Sequence, residues 1–99
     1  MAYQVTKTYT IPNTTVRFFN SYTDASRAVV DTFKAQAKLV SDTSAWSDNR
    51  LQYTSTHVWA SQAAYEEFTA QPAQSAVFAA RDSHNSAQGI TCTITTATI

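Results

Sequence analysis

The side chains that could form a catalytic site are two histidines and two tryptophans: Trp46, His57, Trp59 and His84. Imidazole and indole groups donate hydrogen bonds, and a histidine can also exchange a proton near neutral pH. His57 and Trp59 lie two residues apart on a predicted strand and therefore share a face, so both could line a pocket. Alternatively, the pair packs under the helices or at a subunit interface. His84 falls near the end of a predicted helix, where the helix dipole stabilises a partly positive imidazole.

Other arrangements that suggest chemistry have simpler explanations. Residues 82–84 read Asp-Ser-His, but adjacent helical residues diverge and do not form a triad. The carboxylates at 66 and 67 point about 100° apart on a helix, which favours a solvated face. The two histidines lack the spacing of a metal site. The single Cys92 excludes an intrachain disulfide and lies in an apolar strand pattern, so we predict a small core residue.

The composition argues against charged partners. Of the 99 residues only 14% are charged, and seven basic residues balance seven acidic ones. The basic residues are dispersed, so we expect no binding to nucleic acid or to a membrane surface. Ser, Thr, Asn and Gln make up over a third of the chain. Such a surface can pack against a neighbour without desolvating ions, and a chain of this size often completes its core by oligomerising.

The first half of the chain predicts a strand, a helix and a hairpin. Residues 3–11 alternate with period two and Pro12 breaks the strand. Residues 16–19 resemble a second short extended piece or a continuation of the first strand after a bend. From Thr23 to Val40 the apolar residues recur at the three- and four-residue spacing of a helix capped by Thr23. Residues 41–44 are predicted to form a loop. Asp48 and Asn49 tolerate positive φ and predict a tight turn. The apolar helix face comprises Ala25, Ala28, Val29, Thr32, Phe33, Gln36, Ala37 and Val40.

The second half predicts a broken helix between two strands. Ser61 caps a helix whose buried stripe is Ala64, Tyr65 and Phe68. Pro72 ends or kinks this segment, and helicity then resumes until Gly89, the residue expected at a helix C-terminus. Residues 90–95 alternate as a last strand. The residues predicted to face inward after Pro72 are Ala76, Val77, Ala80 and His84.

The predicted order of strands and helices is the split βαββαβ pattern. It indicates a ferredoxin-like α+β domain spanning residues 1–99, with two helices on one face of an antiparallel sheet. The run 57–68, HVWASQAAYEEF, joins a strand that ends in an aromatic residue to a serine cap and a helix with two aromatic anchors. With Pro72 and the segment 78–81, Phe-Ala-Ala-Arg, it resembles the dimeric α+β barrel superfamily, which includes antibiotic-biosynthesis monooxygenase-like domains.

The resemblance carries expectations about partners and chemistry. Members of this superfamily usually pair two sheets face to face, so it implies a homodimer. Haem-degrading members need a Trp and a haem-ligating His where this chain has Phe68 and Phe78, so we expect no haem. Quinone-forming members work without a cofactor and use Asn, Trp or His donors in a pocket. The candidates for that role are Trp46, His57, Trp59 and His84.

We predict a non-enzymatic structural or interaction subunit without a cofactor, because the sequence has no convergent polar site and few charges. Its Thr-rich composition also resembles small virion-associated proteins of tailed phages, in which case other assembly proteins are partners. Because residues 1–4 lack the features of a signal peptide, we expect a cytoplasmic location. The alternative is a small cofactor-free monooxygenase. An enzyme needs a pocket of several hundred Å³, whereas a structural subunit fills that space with aromatic rings.

Overall fold

The computed structural model describes residues 1–19 and 22–99. In these residues the chain forms four strands and three helices. They are β1 (Tyr3–Thr10), α1 (Asp24–Ala35), β2 (Leu39–Trp46), β3 (Gln52–Trp59), α2 (Gln62–Thr69), α3 (Pro72–Ala87) and β4 (Thr91–Thr98). The strands form one antiparallel sheet in the order β2-β3-β1-β4. The predicted ferredoxin-like α+β class is confirmed.

The sheet register puts the odd-numbered side chains of β1 and β3 on one face. Pairing of Tyr3 with Trp59, and of Tyr9 with Tyr53, sets this alignment along the two central strands. The core is built on the same face, because successive side chains of a strand point to opposite sides. Its main buried cluster comprises Val5, Phe33, Leu39, Trp59 and Phe68.

Helix α1 is shorter than its sequence pattern predicts. Thr23 caps it, its hydroxyl accepting a hydrogen bond from the Ser26 amide at 3.1 Å. The helix ends at Ala35, and Ala37 adopts a positive φ of 58°. The predicted continuation to Val40 and the predicted loop at 41–44 are therefore wrong, because this stretch pairs with β3 as strand β2. Pairing with β3 satisfies one edge of β2, and Val40 lies at an irregularity in this pairing and is exposed.

The second helical segment is broken at Pro72, as predicted. The Ser61 hydroxyl caps α2 by accepting from the Ala64 amide at 3.1 Å. Pro72 occupies the first turn of α3, where its missing N–H costs nothing. Gly89 has a φ of 76° just after the helix, the left-handed conformation that glycine adopts readily.

The inward face of α3 differs from the prediction. Val77 is buried as expected, but Ala76 and Ala80 are exposed and His84 is only partly buried. The other buried residues are polar: Gln74, Arg81 and Asn85. The apolar pattern did not predict this face because most of the side chains that occupy it are polar.

Cys92 is exposed, so its predicted place in the core is wrong. It lies on β4, an edge strand whose eight residues are all exposed. The extended piece predicted at 16–19 also fails, since the structure assigns no strand to those residues. The Phe19 amide instead donates to Asn85 Oδ1 at 3.1 Å. In the described part of the chain, no helix is long and apolar enough to cross a membrane.

The contact between α1 and α3 gives a first testable prediction. Gln74 is fully buried, accepts from Ser26 Oγ at 2.8 Å and donates to the Ser26 carbonyl at 2.8 Å. Gln74→Ala should lower the free energy of unfolding by about 2–3 kcal/mol, because it leaves buried polar groups unpaired and opens a cavity. Urea denaturation measures the change. Gln88→Ala, at an exposed position, is the control, and an equal effect of both variants would contradict the proposed importance of this contact.

Candidate functional site

A cavity of about 310 Å³ lies between the sheet and the helices. Its floor is the inward face of β1, β2 and β3, and residues of all three helices line the remaining walls. The volume is at the lower end of the roughly 300–1,000 Å³ range typical of small-molecule sites. The interior of the domain is therefore not completely filled by its aromatic side chains.

Aromatic rings form the apolar part of the cavity. Trp59 is only 2% exposed, and its ring centroid lies 4.6 Å from that of Phe68 and 5.7 Å from that of Tyr65. Phe78 continues this wall, 6.3 Å from Phe68. These separations are typical of packed aromatic pairs. A planar aromatic ligand would meet ring surfaces on this side of the cavity.

His57 lies in the floor beside Trp59. The two rings are stacked, with centroids 6.1 Å apart and planes inclined by 25°. Nδ1 of His57 lies 3.3 Å from the Ser55 hydroxyl. Burial lowers the pKa of His57, and the positive charges of Lys7, Arg81 and Lys34 act in the same direction, whereas Asp42 opposes them. The imidazole is therefore neutral at pH 7 and able to accept a proton.

Lys7 brings a cation into the floor on the neighbouring strand. It pairs with Ser55 in the sheet register, so its side chain lies on the same face as that of His57. Its Nζ lies 4.5 Å from the centroid of the Phe78 ring. Burial, and then the charge of Arg81, lower the pKa of this amine.

Arg81 is the second cation, and it is only 4% exposed. Its Nη1 lies 3.5 Å from the Tyr9 hydroxyl, while Nε and Nη2 have no hydrogen-bond partner among residues 1–19 and 22–99. Contacts with the hydroxyls of Tyr9 and Tyr22 raise the pKa of Arg81 and outweigh the opposing effect of burial. Its guanidinium carbon lies 5.4 Å from the ring centroids of both Tyr22 and Phe78. The structure thus keeps a charged group inside the domain without pairing it with a carboxylate.

The structure separates the four side chains proposed from the sequence. His57 and Trp59 both line the cavity, as expected for strand neighbours two residues apart. Trp46 does not line it, and instead packs against Phe18 and Tyr53 at ring distances of 5.5 and 5.0 Å. His84 is also outside, with Nε2 2.9 Å from the Arg17 carbonyl oxygen.

Lys7, Tyr9 and Arg81 were not among the side chains proposed from the sequence. Lys7 was detectable, because it occupies an odd position of β1 between Val5 and Tyr9, both of which are buried. A cation at such a position faces the core side of the sheet. Arg81 gave no comparable signal, since its burial depends on the orientation of α3. Across the described residues, no three His, Cys, Asp or Glu side chains come together as a possible metal site.

Known structures share this fold. SnoaB, a cofactor-independent oxygenase from Streptomyces nogalater, matches with a TM-score of 0.66 and 18% identity, covering 99% of this chain and 92% of SnoaB. Rv0793 from Mycobacterium tuberculosis matches with a TM-score of 0.59 and 16% identity, over 98% and 95% of the two chains. A protein from Deinococcus radiodurans described as a putative antibiotic-biosynthesis monooxygenase gives 0.58 and 12%, over 98% and 91%. No protein-family model and no curated protein sequence matches the chain.

The chain therefore has the fold of the antibiotic-biosynthesis monooxygenase-like α+β barrel proteins, as the resemblance in residues 57–81 predicted. Identities below 20% show the fold alone.

The prediction of a non-enzymatic structural subunit, including its virion-associated form, is wrong. The space between sheet and helices is a cavity with converging polar groups and is not filled by aromatic rings. The matching structures include one described as a cofactor-independent oxygenase. The error arose because the polar groups at the cavity come from separate elements and leave no motif in the sequence.

Proposed function

We propose that the chain is a cofactor-free monooxygenase that oxidises a planar aromatic molecule in this cavity. The observation that carries the proposal is the placement of a neutral, half-buried His57 beside Trp59 in a cavity that also contains aromatic rings and cations. The likeness to the fold of a cofactor-independent oxygenase supports it. Trp46 and His84 have no part in this proposal.

The proposed reaction converts a ring methylene to a carbonyl with molecular oxygen. His57 removes one proton from the methylene, and the resulting carbanion reacts with O₂ to form a C–O bond. The protonated His57 then returns its proton to the distal oxygen, giving a hydroperoxide. Loss of water from the hydroperoxide leaves a quinone-type carbonyl, so that one oxygen atom enters the product and the other leaves as water. The Ser55 hydroxyl, 3.3 Å from Nδ1, orients the imidazole for this exchange.

Anthrone is a suitable first substrate, because its central methylene is flanked by two aromatic rings and ionises readily. The purified chain, treated with a chelator, should convert anthrone to anthraquinone while consuming one O₂ per product molecule. An oxygen electrode and the absorbance of the quinone measure both quantities. A rate equal to that of anthrone in buffer alone would count against the proposal for this substrate class.

We also propose that a second copy of the chain covers the outer face of the sheet. The outward residues of β1, β3 and β4 include no charged side chain. They are Gln4, Thr6, Thr8 and Thr10 of β1, Gln52, Thr54, Thr56 and Val58 of β3, and Thr91, Thr93, Thr95 and Ala97 of β4. Such a face can be buried against an identical one without desolvating ions.

A charge on this face should disrupt the dimer. Thr6 lies opposite Thr56 in the two central strands, so Thr6→Lys brings a charge from each subunit into the middle of the interface. Light scattering coupled to size exclusion should give the mass of two chains for the wild type and of one chain for the variant. Thr14→Lys, in an exposed turn, should remain dimeric. A wild-type chain that is already monomeric would contradict the proposal.

A further inference from the structure

The charge inside the cavity is unbalanced, although the chain as a whole has no net charge. Lys7, Arg27 and Arg81 line it, whereas Asp42 is the one carboxylate among the described lining residues. That carboxylate is already paired, since its Oδ2 lies 3.2 Å from Lys34 Nζ. Within the described residues, Lys7 and Arg81 have no carboxylate within ion-pair distance. Because neither cation faces a carboxylate among the described side chains, an anionic ligand would supply the counter-charge that the cavity lacks.

The guanidinium of Arg81 suggests the shape of that anion. Nη1 is directed to the Tyr9 hydroxyl, and the two nitrogens without a partner, Nε and Nη2, lie on one edge of the planar group. This edge donates two parallel hydrogen bonds and matches the two oxygens of a carboxylate. Lys7 lies nearby, because its Nζ and the Arg81 guanidinium both contact the Phe78 ring.

The surroundings of these cations are aromatic. Phe78 contacts both cations, and Phe68 and Trp59 extend the apolar wall from it. We propose that the cavity binds an aromatic carboxylic acid, with the carboxylate held by Lys7 and Arg81 and the ring system against Phe78, Phe68 and Trp59. The inference rests on the proposed function only in placing this ligand in the same cavity, and it adds a preference for aromatic substrates that carry a carboxylate.

A matched pair of ligands tests the proposal: 2-naphthoate and its neutral analogue 2-naphthamide. Titration calorimetry at neutral pH should show that the wild-type chain binds 2-naphthoate about ten-fold or more tightly than 2-naphthamide, because hydrogen bonds to charged groups contribute more than neutral ones. Equal affinity for the two compounds, or no binding of 2-naphthoate, would overturn the proposal.

Variants of Lys7 and Arg81 test whether these two cations cause the preference for the carboxylate ligand. Lys7→Met and Arg81→Met should each bring the affinity for 2-naphthoate close to that for 2-naphthamide, with the latter unchanged. Circular dichroism should show that Arg81→Met stays folded, since methionine is apolar and of similar length. Lys38→Met is the matched control, because Lys38 pairs with Glu67 at 2.9 Å and does not line the cavity. A preference that survives in both cavity variants would contradict the site.

The proposal of an anion site and the proposal of an oxygenase can be contradicted independently of each other. A chain that prefers 2-naphthoate through Lys7 and Arg81 but oxidises no substrate would leave the anion site standing and remove the oxygenase proposal. A chain that oxidises anthrone but does not prefer 2-naphthoate would support the oxygenase proposal and remove the anion site.

Discussion

Replacing His57 with Gln should lower kcat for anthrone oxidation by a factor of about 10²–10⁴, the usual contribution of general base catalysis. Glutamine keeps a polar side chain of similar reach beside Ser55, but it cannot take up a proton. The fold should be retained, because His57 makes one side-chain hydrogen bond and a single ring contact among the described residues. Stopped assays of quinone formation, with circular dichroism as the test of folding, measure the effect.

The pH dependence provides a second readout of the same role. Only the neutral imidazole can accept the proton, and burial lowers its pKa below the ordinary value of 6.5. Therefore kcat should rise with pH and reach half its plateau below pH 6.5. His84→Gln is the matched control, since His84 lies outside the cavity, and it should keep the wild-type rate. If the His57 variant kept the rate and His84→Gln lost it, our assignment of the base would be incorrect.

Removing the Trp59 ring should have the largest effect on stability. Trp59 is buried and its ring contacts Phe33, Tyr65 and Phe68 as well as His57. Trp59→Ala should lower the free energy of unfolding by about 3–5 kcal/mol through lost apolar burial and the cavity left behind. Because a domain of this size has about 5–15 kcal/mol in total, much of the variant should be unfolded under mild denaturant. Urea titration followed by circular dichroism measures the loss.

Trp59→Phe distinguishes the contribution of aromatic packing to stability from that of the indole N–H group. The indole Nε1 is buried and has no hydrogen-bond partner in the described part of the chain, so its removal costs no hydrogen bond in the folded state. The Phe variant should therefore retain most of the stability that the Ala variant loses. A loss in Trp59→Phe as large as that in Trp59→Ala would show that ring packing is not what makes Trp59 important.

The fold was largely predictable because its local signals agree with one another. Ser61, Pro72 and Gly89 mark helix boundaries through backbone chemistry that does not depend on the rest of the chain. The errors occurred where tertiary pairing decides the conformation. Val40 continues the helical period of α1, yet it lies in strand β2, at an irregularity in the pairing with β3. Cys92 alternates like a buried residue but lies on an edge strand whose eight residues are all exposed.

The candidate site was predictable only where its residues belong to one element. His57 and Trp59 share a strand face, and their common location follows from the two-residue period. Trp46 lies on the next strand, but beside Phe18 and away from the cavity. The cations of the site come from β1 and α3, and only the packing of α3 on the sheet brings Arg81 close to Tyr9 and Lys7. No spacing in the sequence encodes that contact.

The central claim, that the cavity is the active site of a monooxygenase, is tested most directly by oxidation of anthrone under ¹⁸O₂ followed by mass spectrometry. We expect the anthraquinone formed by the wild-type chain to contain one ¹⁸O atom, the remaining ¹⁸O to appear in water, and the labelled product to be lost in His57→Gln. Quinone that carries oxygen from the solvent, or labelled quinone formed equally fast by His57→Gln, would contradict the account.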